Sequence, residues 1–124
     1  MKQLIISIIR IMPLLFAVCV GAITVISMIP STTLPNALDF WDKAQHALAF
    51  AMLTVTGSIA YPNKRTRTYI GLLLLAVGIE LIQKYFTTTH VGDVLDLLAD
   101  GVGGMLGIII YTLLRRWIQN KTTQ

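Results

Sequence analysis

The sequence predicts an all-α fold, a polytopic membrane four-helix bundle. Three observations carry that prediction. Four apolar runs of about 18 to 21 residues recur along the 124-residue chain, and at 1.5 Å per residue each covers about 27 to 32 Å, enough for the hydrocarbon core of a bilayer. Only 13% of the residues are charged, against about 25% in a soluble domain. Prolines and short basic clusters fall between the runs, where helices would leave the membrane. The length suits one domain over residues 1–124. The net charge of +4 does not point to a nucleic-acid partner, because the basic residues lie in short clusters between apolar runs rather than on a docking face. The implied partner is the lipid bilayer.

The first span is expected at about Ile11 to Ile29, ended by Pro30. Apolar residues from Leu4 to Ile9 extend it, and Arg10 can snorkel toward the surface. Pro13 near its start is compatible with a mild kink. The run is longer than a signal-peptide core and no small-x-small cleavage site follows it, so it reads as an uncleaved anchor. Cys19, the single cysteine, has no second thiol for a disulfide or a thiolate metal site and reads as a small apolar side chain.

Pro35, Asn36 and Asp39 are turn and N-cap residues, so the next helix begins near Asp39, with Phe40 and Trp41 at the membrane interface. The second span is expected at about Ala44 to Tyr61, stopped by Pro62. A short loop with Lys64, Arg65 and Arg67 leads to the third span, about Tyr69 to Phe86. The fourth runs from about Val94 to Leu114 and is followed by Arg115 and Arg116. Four crossings put Lys2, Arg10, the loop cations, Arg115, Arg116 and Lys121 on one side and only Lys43 and Lys84 on the other. Positive charge is retained inside, so both termini are expected in the cytoplasm of a cell with this protein in its inner (cytoplasmic) membrane.

On that topology all six acidic residues, Asp39, Asp42, Glu80, Asp93, Asp96 and Asp100, lie in the outer half, with His46, Gln83 and His90. Glu80 and Gln83 sit within the third apolar span, Asp96 and Asp100 within the fourth. A charge at the bilayer centre costs at least about 2.5 kcal/mol on insertion scales, so such residues turn to the bundle interior, pair, or line a wet cavity. Asp39, Asp42, Lys43 and His46 share one stripe of a helix; Glu80 and Gln83 are one turn apart; Asp93, Asp96 and Asp100 step three then four. A polar pocket built from helices two, three and four and open to the outer face follows. The candidate catalytic groups are Asp42, His46, Glu80 and Asp96; the candidate ligand-binding groups are Lys43, Gln83, Asp93 and Asp100. The same residues read equally as a network that specifies helix pairing, with Lys43 neutralising Glu80 or Asp96 and His46 bonded to a carboxylate.

Gly101, Gly103, Gly104 and Gly107 follow the acidic stripe, and Gly103 with Gly107 makes a G-x-x-x-G, which lets helix backbones approach in lipid. A phosphate-binding loop would need a preceding strand and a lysine that are missing here. Gly57, Gly71 and Gly78 suit packing as well.

These motifs, D-K-A-Q-H from Asp42 to His46, E-L-I-Q from Glu80 to Gln83 and D-L-L-A-D-G-V-G-G-M-L-G from Asp96 to Gly107, resemble in order and spacing the VanZ-like family of small membrane proteins, named for a teicoplanin-resistance protein. The resemblance covers about residues 39 to 115. It departs at two places: the family's arginine before the last span has only His90 as a basic counterpart, and its asparagine is Asp100. A more acidic pocket follows. The resemblance implies a polytopic inner-membrane protein and leaves antibiotic resistance open.

Two functions are consistent with this reading. The pocket binds or modifies an envelope molecule, such as a lipid-linked or cell-wall (peptidoglycan-related) ligand, with Asp42, His46 and Glu80 exchanging protons or holding a cation and Lys43 holding an anionic group. Otherwise the cluster is structural and the chain is a scaffold or accessory subunit. Four spans do not supply the inverted repeats of common carriers unless the chain dimerises, and an oligomer is left open. No Ser-His-Asp set, cysteine nucleophile, haem motif or flavin motif is present, and no cofactor is specified. No metal site is assigned, although imidazole and carboxylate at His46, Glu80 and Asp96 would suit Zn, Mn or Mg.

Overall fold

A computed structural model describes residues 2–29, 39–86 and 94–123, with the backbone alone described at Lys2 and Asp39. Four helices account for nearly all of it: α1 (Lys2–Met28), α2 (Asp39–Ala60), α3 (Arg65–Phe86) and α4 (Val94–Thr122). Each contains its predicted span almost whole and is longer. α1 takes in the apolar residues before Ile11 together with an exposed Arg10, and α4 continues past Arg115 and Arg116. Pro13 lies inside α1, in its early turns. The loop residues Pro30, Pro35 and Asn36, and the segment with His90, Gly92 and Asp93, lie outside the described residues.

α1, α3 and α4 are each long and apolar enough to cross a membrane. α2 is as long as α3 but less apolar, and the reason lies in its packing. It carries Lys43, Gln45, His46, Thr54, Thr56 and Ser58, and it touches all three other helices, α4 most extensively. Thr54, Ser58 and Thr56 return their hydroxyls to carbonyls one turn back in the helix, at 2.6 to 3.2 Å, so no polar hydrogen is wasted on lipid. Trp41, Leu48 and Met52 supply the outward, exposed face of α2. Elsewhere the surface is apolar, with Leu14, Leu74, Met105 and Leu113 more than half exposed. In water such a surface would drive aggregation; against acyl chains it is the expected solvent face.

Side-chain contacts fix the direction of each helix. Gly57 of α2 meets Phe16 of α1 and Thr68 of α3, and Ser58 shares a 2.9 Å hydrogen bond with Tyr69, so α2 is antiparallel to α1 and α3. α2 and α4 rise together: Lys43 pairs with Asp96, Ala47 faces Gly103 and Ala51 faces Gly107. The chain therefore runs up, down, up, down. Asp42, Glu80, Asp96 and Asp100 gather at one end; Lys64, Arg65, Arg67, Arg115, Arg116 and Lys121 gather at the other. Arg65 lies over the Tyr111 ring, 5.6 Å from its centroid, within that basic end.

The core is small. Phe50 and Leu53 of α2 pack with Leu72 and Ala76 of α3, flanked by Phe16 and Cys19 of α1. Cys19 is thus a half-buried packing residue with a free thiol. Phe16 also meets Tyr61 edge to face, with centroids 5.9 Å apart.

The glycines divide sharply. A methyl group at Gly103 would fall on the Ala47 carbonyl, and one at Gly107 would come within 2.7 Å of the Ala51 carbonyl oxygen and of Thr54 Cβ. The G-x-x-x-G of α4 thus faces an A-x-x-x-A of α2, small against small, in lipid-compatible close contact. Gly104 lies beside Thr54, and Gly57 is equally enclosed. Gly71, Gly78 and Gly101 face open space, so the expectation that these three serve packing is not met.

Candidate functional site

The acidic end of the bundle is assembled by the α2–α4 seam. One turn into α2, Lys43 donates from Nζ to Asp96 Oδ1 across 3.1 Å. One turn further, His46 Nδ1 lies 3.0 Å from Asp100 Oδ1. The two pairs follow from parallel helices in one register: steps of three on α2 and four on α4 keep both on the facing stripes. Of the two partners foreseen for Lys43, Asp96 is the one joined here, and the carboxylate on His46 is Asp100.

α3 brings Glu80 to the same place. The potential ligand atoms of His46, Glu80 and Asp100 all lie within 4.8 Å of one another, and so do those of Asp42, His46 and Asp96. His46 is common to both sets, while Glu80 and Asp96, grouped together in the sequence reading, fall in different ones. The carboxylates are deeply enclosed, with Glu80 9% exposed, Asp96 4% and Asp100 1%. Asp42, Lys43 and His46 are half-buried. Among the described residues, the Lys43 ammonium and the His46 imidazole face four carboxylates.

Gln83, one turn after Glu80 and only 1% exposed, reaches the other way. Its Nε2 donates to the Ser27 carbonyl of α1 across 2.7 Å, pinning the ends of α1 and α3 together. The cleft beside the cluster, of about 510 Å³, is walled by α1, α2 and α3, and a second, more apolar cleft of about 260 Å³ that includes Asp100 lies between α2, α3 and α4. Asp42, Gln45, His46 and Gln83 give the larger cleft polar groups, and Ile23, Ile26 and Phe50 give it apolar walls. A volume in this range suits a ligand of modest size, and the mixture of walls suits one that is part polar and part apolar.

Of the predicted residues, Asp42, Lys43, His46, Glu80, Asp96 and Asp100 converge, and Gln83 lines the same cleft from its far side. Asp93 lies outside the described residues, as does the side chain of Asp39. The contribution of α1 was missed. An apolar helix carries few marks of its facing side, and the only hint was Ser27, whose hydroxyl satisfies itself on the Ile23 carbonyl at 2.7 Å while its own carbonyl takes Gln83. Gln45, which also lines the cleft, was not among the predicted residues.

Chemically the arrangement offers a lysine–carboxylate pair, a histidine–carboxylate pair and two further carboxylates around one imidazole. It can hold a cation, polarise a bound group or pass a proton between carboxylates through His46. It offers no nucleophile beyond these groups among the described residues. No curated protein and no solved structure matches the chain. The model of one protein family, described as VanZ/LLP1, matches residues 5–115, which takes in nearly all of α1 as well as the three motif-bearing helices and the whole cluster. The chain is therefore a membrane protein of the VanZ/LLP1 family.

Proposed function

We propose that the cleft beside His46 is an outward-facing binding site for an envelope molecule with a polar head and an apolar chain, such as a lipid-linked cell-wall precursor. The observation that supports this is the cleft's composition: charged and amide groups on α2 and α3 opposite isoleucines of α1, within a membrane helix bundle. In this reading Asp42 and Gln45 contact the head group, Lys43 holds an anionic part of it, and Ile23 and Ile26 lie along the chain. Both termini are cytoplasmic, so that the basic end faces inward and the acidic end outward. The host membrane is the inner membrane.

Two measurements test it. Reporter fusions at Asn63 and Gln124 report cytoplasmic activity if the orientation is right, and an external signal at Gln124 overturns it. Binding is followed with a fluorescent lipid-linked peptidoglycan precursor and the purified protein in detergent. Saturable binding that weakens about tenfold in Asp42→Asn or Gln45→Leu, the loss of about 1.4 kcal/mol, supports the site. Binding that does not saturate, or is the same in both variants, contradicts it.

A second reading is favoured by the pairing of polar groups between helices. Lys43 with Asp96 and His46 with Asp100 tie α2 to α4, and Gln83 with Ser27 ties α3 to α1, at one end of the bundle. Under that reading the protein is a scaffold or accessory subunit. Glu80→Gln then lowers the amount of folded protein, whereas in the binding-site reading it leaves the fold intact.

A further inference from the structure

Among the described residues the acidic end carries more carboxylates than cations. Asp42, Glu80, Asp96 and Asp100 bring four carboxylates together with one ammonium, Lys43, and one imidazole, His46. With all six ionised, that set carries a net negative charge. Three of the four carboxylates are at least nine-tenths buried. Buried charge of one sign is among the most expensive things a membrane bundle can hold. The deepest of them, Asp100, uses Oδ1 on His46, while its Oδ2 is buried and has no hydrogen-bond partner among the described residues.

We infer that His46, Glu80 and Asp100 form a binding site for one divalent cation of the zinc or manganese type. Their three ligand atoms lie within 4.8 Å of one another. Donors that share an ion at about 2.0–2.2 Å stand about 3 to 4 Å apart, so the side chains close in by an ångström or so. One imidazole nitrogen with carboxylate oxygens is a donor set for zinc or manganese, and calcium and magnesium prefer oxygen alone. A divalent ion supplies opposite charge to these buried carboxylates.

The other triad, Asp42, His46 and Asp96, is the poorer host. Asp96 Oδ1 is already held by the Lys43 ammonium at 3.1 Å, so an ion there would share a ligand with a fixed positive charge. His46 belongs to both triads, which limits the cluster to one ion bound through it. His46 also lines the cleft beside the cluster. None of this depends on the envelope-ligand reading, since the ion's binding is measured with no other ligand present.

The test uses the full chain in mild detergent, carried on a tag without histidine and stripped with EDTA. Zinc or manganese is added back; bound metal is counted by plasma mass spectrometry and thermal unfolding is followed. About one ion per chain and a rise in Tm that EDTA reverses are expected. Glu80→Gln and Asp100→Asn should each weaken binding about tenfold or more, and Asp42→Asn should leave it intact. Where a variant does not fold, the wild-type titration decides alone. The inference is overturned if the wild type takes up no stoichiometric metal and its Tm does not respond. It is equally overturned if binding survives both Glu80→Gln and Asp100→Asn, or if Asp42→Asn removes it.

Discussion

The seam between α2 and α4 is charged in its first two turns and bare in the next two. In the first half, Lys43 and His46 reach Asp96 and Asp100 across about 3 Å. In the second, the Ala47 backbone meets Gly103 directly, and the Ala51 carbonyl meets Gly107 beside the Thr54 side chain. The halves depend on each other. Polar pairs in a membrane contribute modestly, about 0.6 kcal/mol each on average, because the separated helices find other partners. They hold a fixed geometry here because the small-residue half sets the distance between the two helices. The chemistry of the acidic end thus rests on glycines that carry no chemistry.

That dependence can be broken from the bare side. Gly103→Leu should have the largest effect, since even one added carbon lands on the Ala47 carbonyl and backbone cannot move aside cheaply. A loss of about 3 kcal/mol or more is expected, seen as a drop in folded, monodisperse protein after extraction. Gly107→Ala is milder. Its methyl meets the Ala51 oxygen and Thr54 Cβ at 2.7 Å, and part of that contact is a side chain that can adjust. A cost of about 1–3 kcal/mol is expected in an unfolding titration. Gly101→Ala sharpens the comparison from the other side. It lies two residues before Gly103 but faces open space, so the substitution should leave stability unchanged or raise it by about 0.5–1 kcal/mol. Equal losses for Gly101→Ala and Gly107→Ala would remove the distinction between the two faces of α4.

Much of this was legible before any coordinates. Long apolar runs bounded by Pro30, Pro62 and the basic clusters mark helices of membrane-spanning length, because only helices satisfy their own backbone in lipid. The acidic stripes of α2 and α4 were legible for the same reason: carboxylates in apolar helices have few places to point. G-x-x-x-G announced a contact face, though the sequence does not distinguish Gly103 from Gly71 or Gly78, since a glycine's use depends on what stands opposite. Which cation meets which carboxylate was not legible. Lys43 had two candidate partners, and the choice of Asp96 follows from the α2–α4 register, which the Ala47–Gly103 contact sets over a separation of more than fifty residues. The direction of Gln83 was not legible for a related reason. Gln83 and Glu80 share a helix face by spacing, yet Gln83 turns to the Ser27 carbonyl, a backbone group that no side-chain pattern records.

Lys43 and His46 of α2 face Asp96 and Asp100 of α4 in parallel register, forming one charged cluster at one end of the bundle. Charge exchange across the Lys43–Asp96 pair tests it most directly. Lys43→Asp alone and Asp96→Lys alone each place like charges in contact within the bundle, and each should reduce folded protein several-fold. The double variant, Lys43→Asp with Asp96→Lys, restores the pair with its polarity reversed and should recover most of the wild-type yield and Tm. A double variant no better than the worse single one, or single variants that fold as the wild type does, would contradict the register and the cluster built on it.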